Sequence, residues 1–414
     1  MIVAGWLLLD PLNVPGDGLQ PGALEVRDGC IANIWLGDIP VDDHHDDANV
    51  LGGRDCLISP GFIDAHVHIP QWDAIGHAGL PLLEWLRDVI YPAEEQWHSA
   101  AFAQQQSLRA LRDMLGAGTL GCAAWLTSHA DAQQAFAMAH ARLPVRTLAG
   151  RVLMDRNGPA SLTTQQVDAP PEPACGDARL SRSINPRFAL SCTSAMLARA
   201  GNDAAQSGAF VHTHLAETQE ECAAARAAFP DALHYADVYD MHGLLGQRTL
   251  LAHCLHLSPP EWQLIAERGS AVVHCPTANT FLGAGIFDMR SAMEHGIRVG
   301  LGSDVAAGPD ISMPRVARAM LDVARLRRAL IDADAIAPTA AQAWHMMTQG
   351  NADILGWHDT GRIAVGASAD ILVLRPPFAI DPGDSRWISR LLYQWDDCWI
   401  AQRILAGRAM HHVE

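Results

Sequence analysis

The most informative absence in this sequence is lysine, which does not occur among its 414 residues. All 29 basic side chains other than histidine are therefore arginines. Without a lysine, the chain cannot form a Schiff base, hold a nucleotide through a P-loop lysine, or bridge two metal ions with a carbamylated lysine. These three classes of site are excluded whatever the fold is.

Long apolar runs and a secretion signal are also missing. No stretch of roughly 18 apolar residues occurs, so no membrane-spanning helix is expected. The apolar start meets Asp10 with no basic residue before it, which indicates a strand rather than a signal peptide. Nine cysteines without framework spacing indicate a reducing compartment, so we expect a cytoplasmic protein. The net charge of −17 argues against a nucleic-acid partner.

The pattern of apolar residues divides the chain into three segments. Residues 1–59 alternate short apolar runs with turn clusters, and residues 366–414 return to that pattern. Between them, residues 60–365 alternate short strands with longer helical patterns, which predicts a parallel sheet. We therefore expect an α/β fold, a (β/α)8 TIM barrel inserted in a small β-sandwich domain formed by both chain ends. Residues 160–183 are predicted to be a loop, and the acidic run at 42–47 a solvated turn.

Candidate functional residues stand where the predicted barrel strands end, and active sites of such barrels collect at that edge. Alternate residues of a strand point the same way, so the two histidines of "HVH" face one side. The candidates are His66 and His68 in "HVH", His212, His214 and Glu217 in "HTHLAE", His253 in "LLAHC", His274 in "VVHC" and Asp304 in "VGLGSD".

Each candidate taken alone has a structural explanation. A strand-end histidine more often hydrogen-bonds in the core than binds a metal, and an aspartate after a Gly-rich strand is often a helix N-cap. The combination is harder to explain in that way. Three histidines and one aspartate suit Zn²⁺, or Fe²⁺, with one position left open for water. Glu217, three residues past His214, can reach that water. The set therefore predicts a catalytic metal centre.

The order of these residues along the chain resembles the amidohydrolase superfamily, the metal-dependent hydrolases on a (β/α)8 barrel, and the resemblance covers nearly the whole chain. Within it, several segments are similar to the guanine deaminases. They are "HVHIPQ", "LPLLEWLRDVIYPAEEQW", "VLMDRN", "NPRFALSC", "GSAVVHCPTAN" and "VGLGSDVAAG". The segment 160–183 departs from that family, which has a longer helical stretch before "PRF". The third barrel helix is therefore expected to be short or missing.

The resemblance also implies roles for individual residues. It implies that one Zn²⁺, or Fe²⁺, per chain is bound by His66, His68, His214 and Asp304. It implies catalytic roles for Glu217 as proton shuttle, for Asp304, and for His253 in orienting water or polarising the substrate. It also implies that a purine is contacted by Gln71, Arg187 and the Phe188 backbone. His212 and His274 match no functional position and are predicted to be structural. We also expect a homodimer, although no residue pattern defines the oligomeric state.

The activity that the resemblance implies is the zinc-dependent deamination of guanine to xanthine and ammonia. The alternative is a deaminase or hydrolase of the same scaffold that acts on another aminopurine, a pterin or a triazine. The unrelated zinc deaminases with a P-C-x-x-C signature are excluded because the chain has no C-x-x-C. A barrel that binds a purine without catalysis is disfavoured, because pure binding does not need the acid Glu217.

Overall fold

A computed structural model describes residues 1–12, 18–37, 50–163, 179–381, 383–384 and 386–410. The acidic run at 42–47 lies outside these residues. The strands are β1 Ile2–Leu8, β2 Leu19–Arg27, β3 Cys30–Leu36, β4 Val50–Pro60, β5 Phe62–His68, β6 Thr119–Leu126, β7 Arg146–Leu153, β8 Leu180–Pro186, β9 Phe210–Leu215, β10 Thr249–His253, β11 Ala271–His274, β12 Val299–Leu301, β13 Ile371–Leu374, β14 Ile400–Leu405 and β15 Arg408–Met410.

The α-helices between these strands vary from one turn to five. They are α1 Leu82–Trp85, α2 Tyr91–Glu95, α3 Ala100–Gly116, α4 Ala130–His140, α5 Ser194–Ser207, α6 Gln219–Ala228, α7 Tyr235–Met241, α8 Pro259–Arg268, α9 Pro276–Phe281, α10 Met289–Glu294, α11 Met313–Leu330, α12 Ala340–His345, α13 Asn351–Ile354 and α14 Trp387–Tyr393. Two π-helical turns, Leu86–Ile90 and Met346–Gly350, continue α1 into α2 and α12 into α13. Within the described ranges, no helix is both long and apolar enough to cross a membrane.

Both chain ends build one seven-stranded sheet, in the order β15-β14-β13-β4-β1-β2-β3. Its two faces pack against different hydrophobic cores, because successive side chains of a strand point to opposite faces. Leu57 and Leu372 join the core of the barrel, whereas their neighbours Ile58 and Ile371 belong to a separate core on the other face. The small β domain expected from both chain ends is confirmed, and its described strands form one continuous sheet rather than the two layers of a sandwich. The domain bounds at 59/60 and 365/366 stay a prediction.

The eight strands β5 to β12 form a second sheet in which every strand pairs with its neighbour in sequence. The pairings between its described strands are all parallel. This is the predicted (β/α)8 barrel. Helix signals in the sequence are confirmed locally. For example, Ser258 is the N-cap residue of α8, and its backbone N–H and its hydroxyl both donate to Glu261 Oε2, at 2.8 and 2.7 Å.

Two expectations about irregular segments need correction. The loop predicted for 160–183 ends earlier, because Leu180–Pro186 is the fourth barrel strand and its register with β7 begins at Leu180. The proline-rich and polar composition of the segment did not indicate a strand. Burial of the second half of this strand stabilises it. The C-terminal segment is not purely β, since Trp387–Tyr393 is a helix. The described residues 154–163, which follow β7, contain no helix, but residues 164–178 lie outside the described ranges, so the short or missing third barrel helix stays a prediction.

The barrel closes between its first and last strands without a regular ladder. Just beyond the strands, Asp304 N donates to the His66 carbonyl (2.8 Å) and His68 N donates to the Val305 carbonyl (3.1 Å). Lower down, the fully buried Asn351 side chain donates to the carbonyls of Ile63 (2.6 Å) and Leu301 (2.8 Å). The same amide accepts from Leu301 N at 2.9 Å. Asn351 thus replaces part of the missing ladder.

Two glycines in "VGLGSD" make this closure possible. A Cβ on Gly300 would lie 2.3 Å from Asn351 Oδ1, and a Cβ on Gly302 would lie 2.6 Å from the His66 Cβ. Real Cβ atoms do not approach other atoms so closely. The glycines therefore allow the eighth strand to reach both the buried amide and the first strand.

Replacement of Asn351 by leucine should destabilise the barrel. The substitution keeps the volume roughly constant but leaves two carbonyls and one N–H without partners, and each unsatisfied buried group costs about 1–3 kcal/mol. We expect Asn351→Leu to lower the urea midpoint of unfolding by the equivalent of about 3 kcal/mol or more, measured by circular dichroism on metal-loaded protein. The exposed Asn202→Leu is the control and should change stability by about 0.5 kcal/mol or less. A wild-type midpoint for Asn351→Leu would show that the closure does not depend on this amide.

Candidate metal centre and active site

Four side chains from three barrel strands converge at the C-terminal edge of the barrel. His66 and His68 end β5, His214 lies near the end of β9, and Asp304 follows β12 by three residues. One ligand atom from each of the four lies within 4.8 Å of the others. These are the four metal ligands predicted from the sequence. The closure of the barrel brings His66 and His68 against Asp304.

The donor atoms of this cluster fit a cation. His66 Nε2 is fully buried and has no hydrogen-bond partner in the part of the chain that the structure describes. It lies 3.2 Å from Asp304 Oδ1, and His68 Nε2 lies at the same distance from that oxygen. His68 Nε2 and His214 Nε2 are also only 3.2 Å apart. Lone pairs brought this close in a dry site need a positive charge between them, and a divalent ion supplies it.

Hydrogen bonds behind the ligands set their orientation. His214 Nδ1 lies 2.6 Å from the Arg187 carbonyl, which can only accept, so Nδ1 carries the proton and Nε2 faces the cluster with its lone pair. His66 Nδ1 lies 2.7 Å from His212 Nε2. His212, predicted to be structural, therefore touches a candidate ligand directly and fixes the plane of its ring. His274, by contrast, contacts Asn279 at 3.4 Å and stacks on Phe287.

The buried histidines are held in the neutral form that binds metals. Burial lowers the pKa of His66, lowers that of His68 to about 4, and lowers that of His214 well below its usual range. The physical cause is the loss of water around a charged imidazolium, which disfavours protonation. At neutral pH these three rings therefore offer lone pairs rather than protons to a cation.

Glu217 and His253 stand beside the cluster, on the side of Asp304. His253 Nε2 lies 3.6 Å from Glu217 Oε2 and 3.7 Å from Asp304 Oδ2. His253 Nδ1 donates to Asn279 Oδ1 at 2.8 Å, which leaves Nε2 directed toward Glu217 and Asp304. That nitrogen is buried and has no hydrogen-bond partner within the described ranges. A water molecule between His253, Glu217 and Asp304 could satisfy all three groups.

The surroundings of Glu217 suit a proton donor. Burial raises the pKa of the Glu217 carboxyl well above its usual range, and the negative charge of Asp304 raises it further. Its backbone is held by Glu221, whose Oε2 accepts from the Glu217 N–H at 2.8 Å. The Tyr235 hydroxyl donates to the other oxygen of Glu221. Burial therefore favours the protonated form of a carboxyl whose backbone is fixed by Glu221.

Backbone strain accompanies these residues. His253 has a φ of 69° and Asp304 a φ of 51°, both in the left-handed region that residues with a Cβ rarely adopt. Such strain persists only where the surrounding contacts enforce it, and it concentrates at functional sites.

The pocket at the cluster is lined by both polar and apolar residues. Its lining consists of His68, Gln71, Leu82, Trp85, Leu86, Arg187, Phe188, His214, Glu217, Leu282, Asp304 and Ala307. All three residues predicted to contact a purine, namely Gln71, Arg187 and Phe188, are thus in the wall. The Phe188 N–H lies 3.3 Å from Ser191 Oγ, a long hydrogen bond.

Sequence reasoning missed Glu94, which joins two of these wall residues. Gln71 Nε2 donates to Glu94 Oε1 at 2.7 Å, and Arg187 Nη1 donates to Glu94 Oε2 at 2.8 Å. Glu94 is almost completely buried and is absent from the lining of the pocket. The signal was present in the "PAE" of the segment that carries the resemblance, but no pattern in the sequence links that glutamate to Arg187, which lies 93 residues away.

Comparison with known proteins places this site in a family. The model of the amidohydrolase family matches residues 57–410. Guanine deaminase of Escherichia coli K12 is 32% identical over 368 residues, which cover 86% of this chain and 82% of that protein. The solved structure of E. coli guanine deaminase superposes with a TM-score of 0.87 at 28% identity and covers 99% of both chains.

A second structure carries a ligand. Guanine deaminase from C. acetobutylicum, with guanine bound in its active site, also superposes with a TM-score of 0.87, at 26% identity and 99% coverage of both chains. The match of the family model over most of the chain, the barrel and the cluster of three histidines and one aspartate agree with one another. This chain belongs to the amidohydrolase family.

Proposed function

We propose that this protein hydrolyses guanine to xanthine and ammonia, with one divalent metal ion, zinc, per chain. The observation that carries the proposal is one pocket whose wall includes three residues of the His₃Asp cluster, the buried acid Glu217 and the fixed cation Arg187, with the fourth residue of the cluster, His66, buried behind it. The relatives that match over most of the chain are named guanine deaminases. The homodimer and the cytoplasmic location remain predictions from the sequence.

His66, His68, His214 and Asp304 would hold the ion. Nitrogen and carboxylate donors in this number are typical of catalytic zinc, and Fe²⁺ accepts the same set. When bound, the ion supplies Lewis-acid chemistry that makes water a competent nucleophile near pH 7. His212 and the Arg187 carbonyl contribute by orienting the rings of His66 and His214.

The proton transfers are assigned to three side chains. Water adds to C2 of guanine, and its proton passes to Asp304 while His253 Nε2 orients the attacking oxygen. Glu217 delivers its proton to the ring nitrogen beside C2, so that charge does not build up on the ring. The exocyclic amine then receives a proton and leaves as ammonia, which restores the carbonyl of xanthine. The C2 hydroxyl of the adduct gives its proton to the Glu217 carboxylate, which passes it to the amine as the C2–N bond breaks, and the proton held by Asp304 then restores Glu217.

Arg187 is assigned to the O6 carbonyl of the purine. A guanidinium donates charge-assisted hydrogen bonds to a carbonyl oxygen, and Tyr91 supports it with a ring centroid 5.3 Å from the guanidinium carbon. Adenine carries an amine at that position, so two donors would face each other in a buried pocket. Such mispairing can reduce kcat/KM by roughly 10⁴-fold.

Removal of a ligand should remove the metal. We expect His66→Ala and His214→Ala to retain less than about a tenth of the metal found in the wild type, because the loss of one ligand from a four-ligand site leaves it incomplete. Metal content is measured by mass spectrometry after dialysis, which also distinguishes zinc from iron. The exposed His295→Ala is the control and should keep full occupancy. Full occupancy in both ligand variants would place the ion elsewhere.

Glu217 should control turnover and not metal retention. We expect Glu217→Gln to keep its metal and to lose roughly 10²–10⁴-fold in kcat, because an amide cannot donate and regain a proton as a carboxyl does. The exposed Glu220→Gln, on the same segment, is the matched control and should keep wild-type turnover. Near-normal ammonia release by a metal-loaded Glu217→Gln would assign the proton transfers to another group.

The substrate assignment is tested by ammonia release from a panel of compounds. Purified, metal-loaded protein is incubated with guanine, adenine, a pterin and an aminotriazine, and kcat/KM is measured for each. We expect guanine to be the best substrate and adenine to be very poor. A higher kcat/KM for any of the other three would reject guanine as the substrate, and no ammonia from any compound would favour a barrel that only binds purines.

A further inference from the structure

We propose that Glu94 is a positioning residue that turns Gln71 and Arg187 into a fixed acceptor–donor pair, and that this pair recognises a ring carbonyl beside a ring N–H. The ligand class is thus the lactam edge of a 6-oxopurine, with O6 bound to Arg187 and N1–H bound to Gln71 Oε1. The inference rests on the proposed function and specifies how the same pocket selects its substrate.

The first step is the orientation of the Gln71 amide. A carboxylate paired with a guanidinium offers only acceptors, and Glu94 Oε2 is 2.8 Å from Arg187 Nη1. Gln71 must therefore present its NH₂ group to Glu94 Oε1, at 2.7 Å. The amide oxygen then points away from Glu94. Among the described residues it accepts one long hydrogen bond, from Ala306 N at 3.5 Å, which is weak.

The second step is the state of Arg187. One nitrogen of the guanidinium, Nη1, is occupied by Glu94, and the group has five N–H donors, so others remain to donate into the pocket that Arg187 lines. Arg187 can act only as a donor. Gln71, once fixed, acts toward the pocket as an acceptor. The wall therefore carries one donor and one acceptor that cannot exchange roles.

The third step is the rigidity of the support. Glu94 and Tyr91 lie one turn apart on α2, and the Tyr91 ring packs under the guanidinium. Gln71, Glu94 and Arg187 are each no more than 3% exposed. In so dry a site the hydrogen bonds are strong, and a mispaired group is costly. Glu94 does not line the pocket, so its effect on a ligand is exerted through the two residues that it holds.

This arrangement selects between purines that differ only at the lactam edge. Hypoxanthine has the carbonyl and the N1–H, as guanine does, but no scissile amine. Unsubstituted purine has neither group, and its N1 lone pair would face the Gln71 oxygen. The ratio of their dissociation constants therefore measures recognition of this edge independently of chemistry.

The test is calorimetric titration of metal-loaded wild type, Glu94→Gln and the neighbouring control Glu95→Gln with hypoxanthine and with purine. An amide at position 94 offers a donor as well as an acceptor, so Gln71 loses its fixed orientation. We expect the wild type to prefer hypoxanthine, Glu94→Gln to lose about 10- to 100-fold of that preference, and Glu95→Gln to keep it. A residue that merely stabilised the fold would weaken both ligands equally and leave the ratio unchanged.

A second variant covers the case in which Glu94→Gln does not fold. Gln71→Met keeps the length of the side chain but removes the acceptor, and it should reduce the same ratio. If the two single variants and their combination fold, their effects on the ratio should be less than additive, because Glu94 acts partly through Gln71.

The outcomes separate this inference from the proposed function. An unchanged ratio in Glu94→Gln, or in Gln71→Met where the first variant does not fold, overturns the inference even if guanine is deaminated. A wild type that prefers hypoxanthine but releases no ammonia from guanine overturns the proposed function and leaves the recognition of the lactam edge standing. A wild type that binds purine as tightly as hypoxanthine overturns the inference directly.

Discussion

The architecture of the site depends on the closure of the barrel between its first and eighth strands. No regular ladder joins these strands, and two backbone hydrogen bonds together with the Asn351 amide connect them. One of those bonds runs from Asp304 N to the His66 carbonyl. The contact that closes the barrel is therefore also the contact that places the carboxylate of Asp304 against the imidazole of His66.

Desolvation is the second constraint, and it explains why the polar cluster is organised as it is. Imidazoles and carboxylates lose their water in this pocket, so each needs a partner or a change in protonation. Burial lowers the pKa of His66, His68 and His214 and raises that of Glu217, and the Nδ1 atoms of His214 and His253 are hydrogen-bonded. What remains is a group of lone pairs directed at one point, which a divalent cation neutralises.

The pocket wall applies the same physics to substrate choice. A buried glutamate would be unfavourable if alone, but Arg187 and Gln71 satisfy both of its oxygens. The resulting rigidity gives the wall a defined order of donor and acceptor. The Glu94 carboxylate thus connects the packing of α2 with the hydrogen bonds that the pocket offers to its ligand.

The sequence alone was sufficient for the elements whose signals are local. The "HVH" pair, the capped helix after Ser258 and the strand–helix alternation are short-range signals that indicated the barrel and the candidate residues at its strand ends. The family resemblance then selected four ligands among those candidates. Other features depend on residues that are distant in the chain. His212 and His66 are 146 residues apart, and the strand at Leu180–Pro186 is stabilised by its neighbours rather than by its own composition. The tertiary structure alone paired Glu94 with Gln71 and Arg187, because only the closed barrel brings an acid, an amide and a cation from three separate segments into one dry wall.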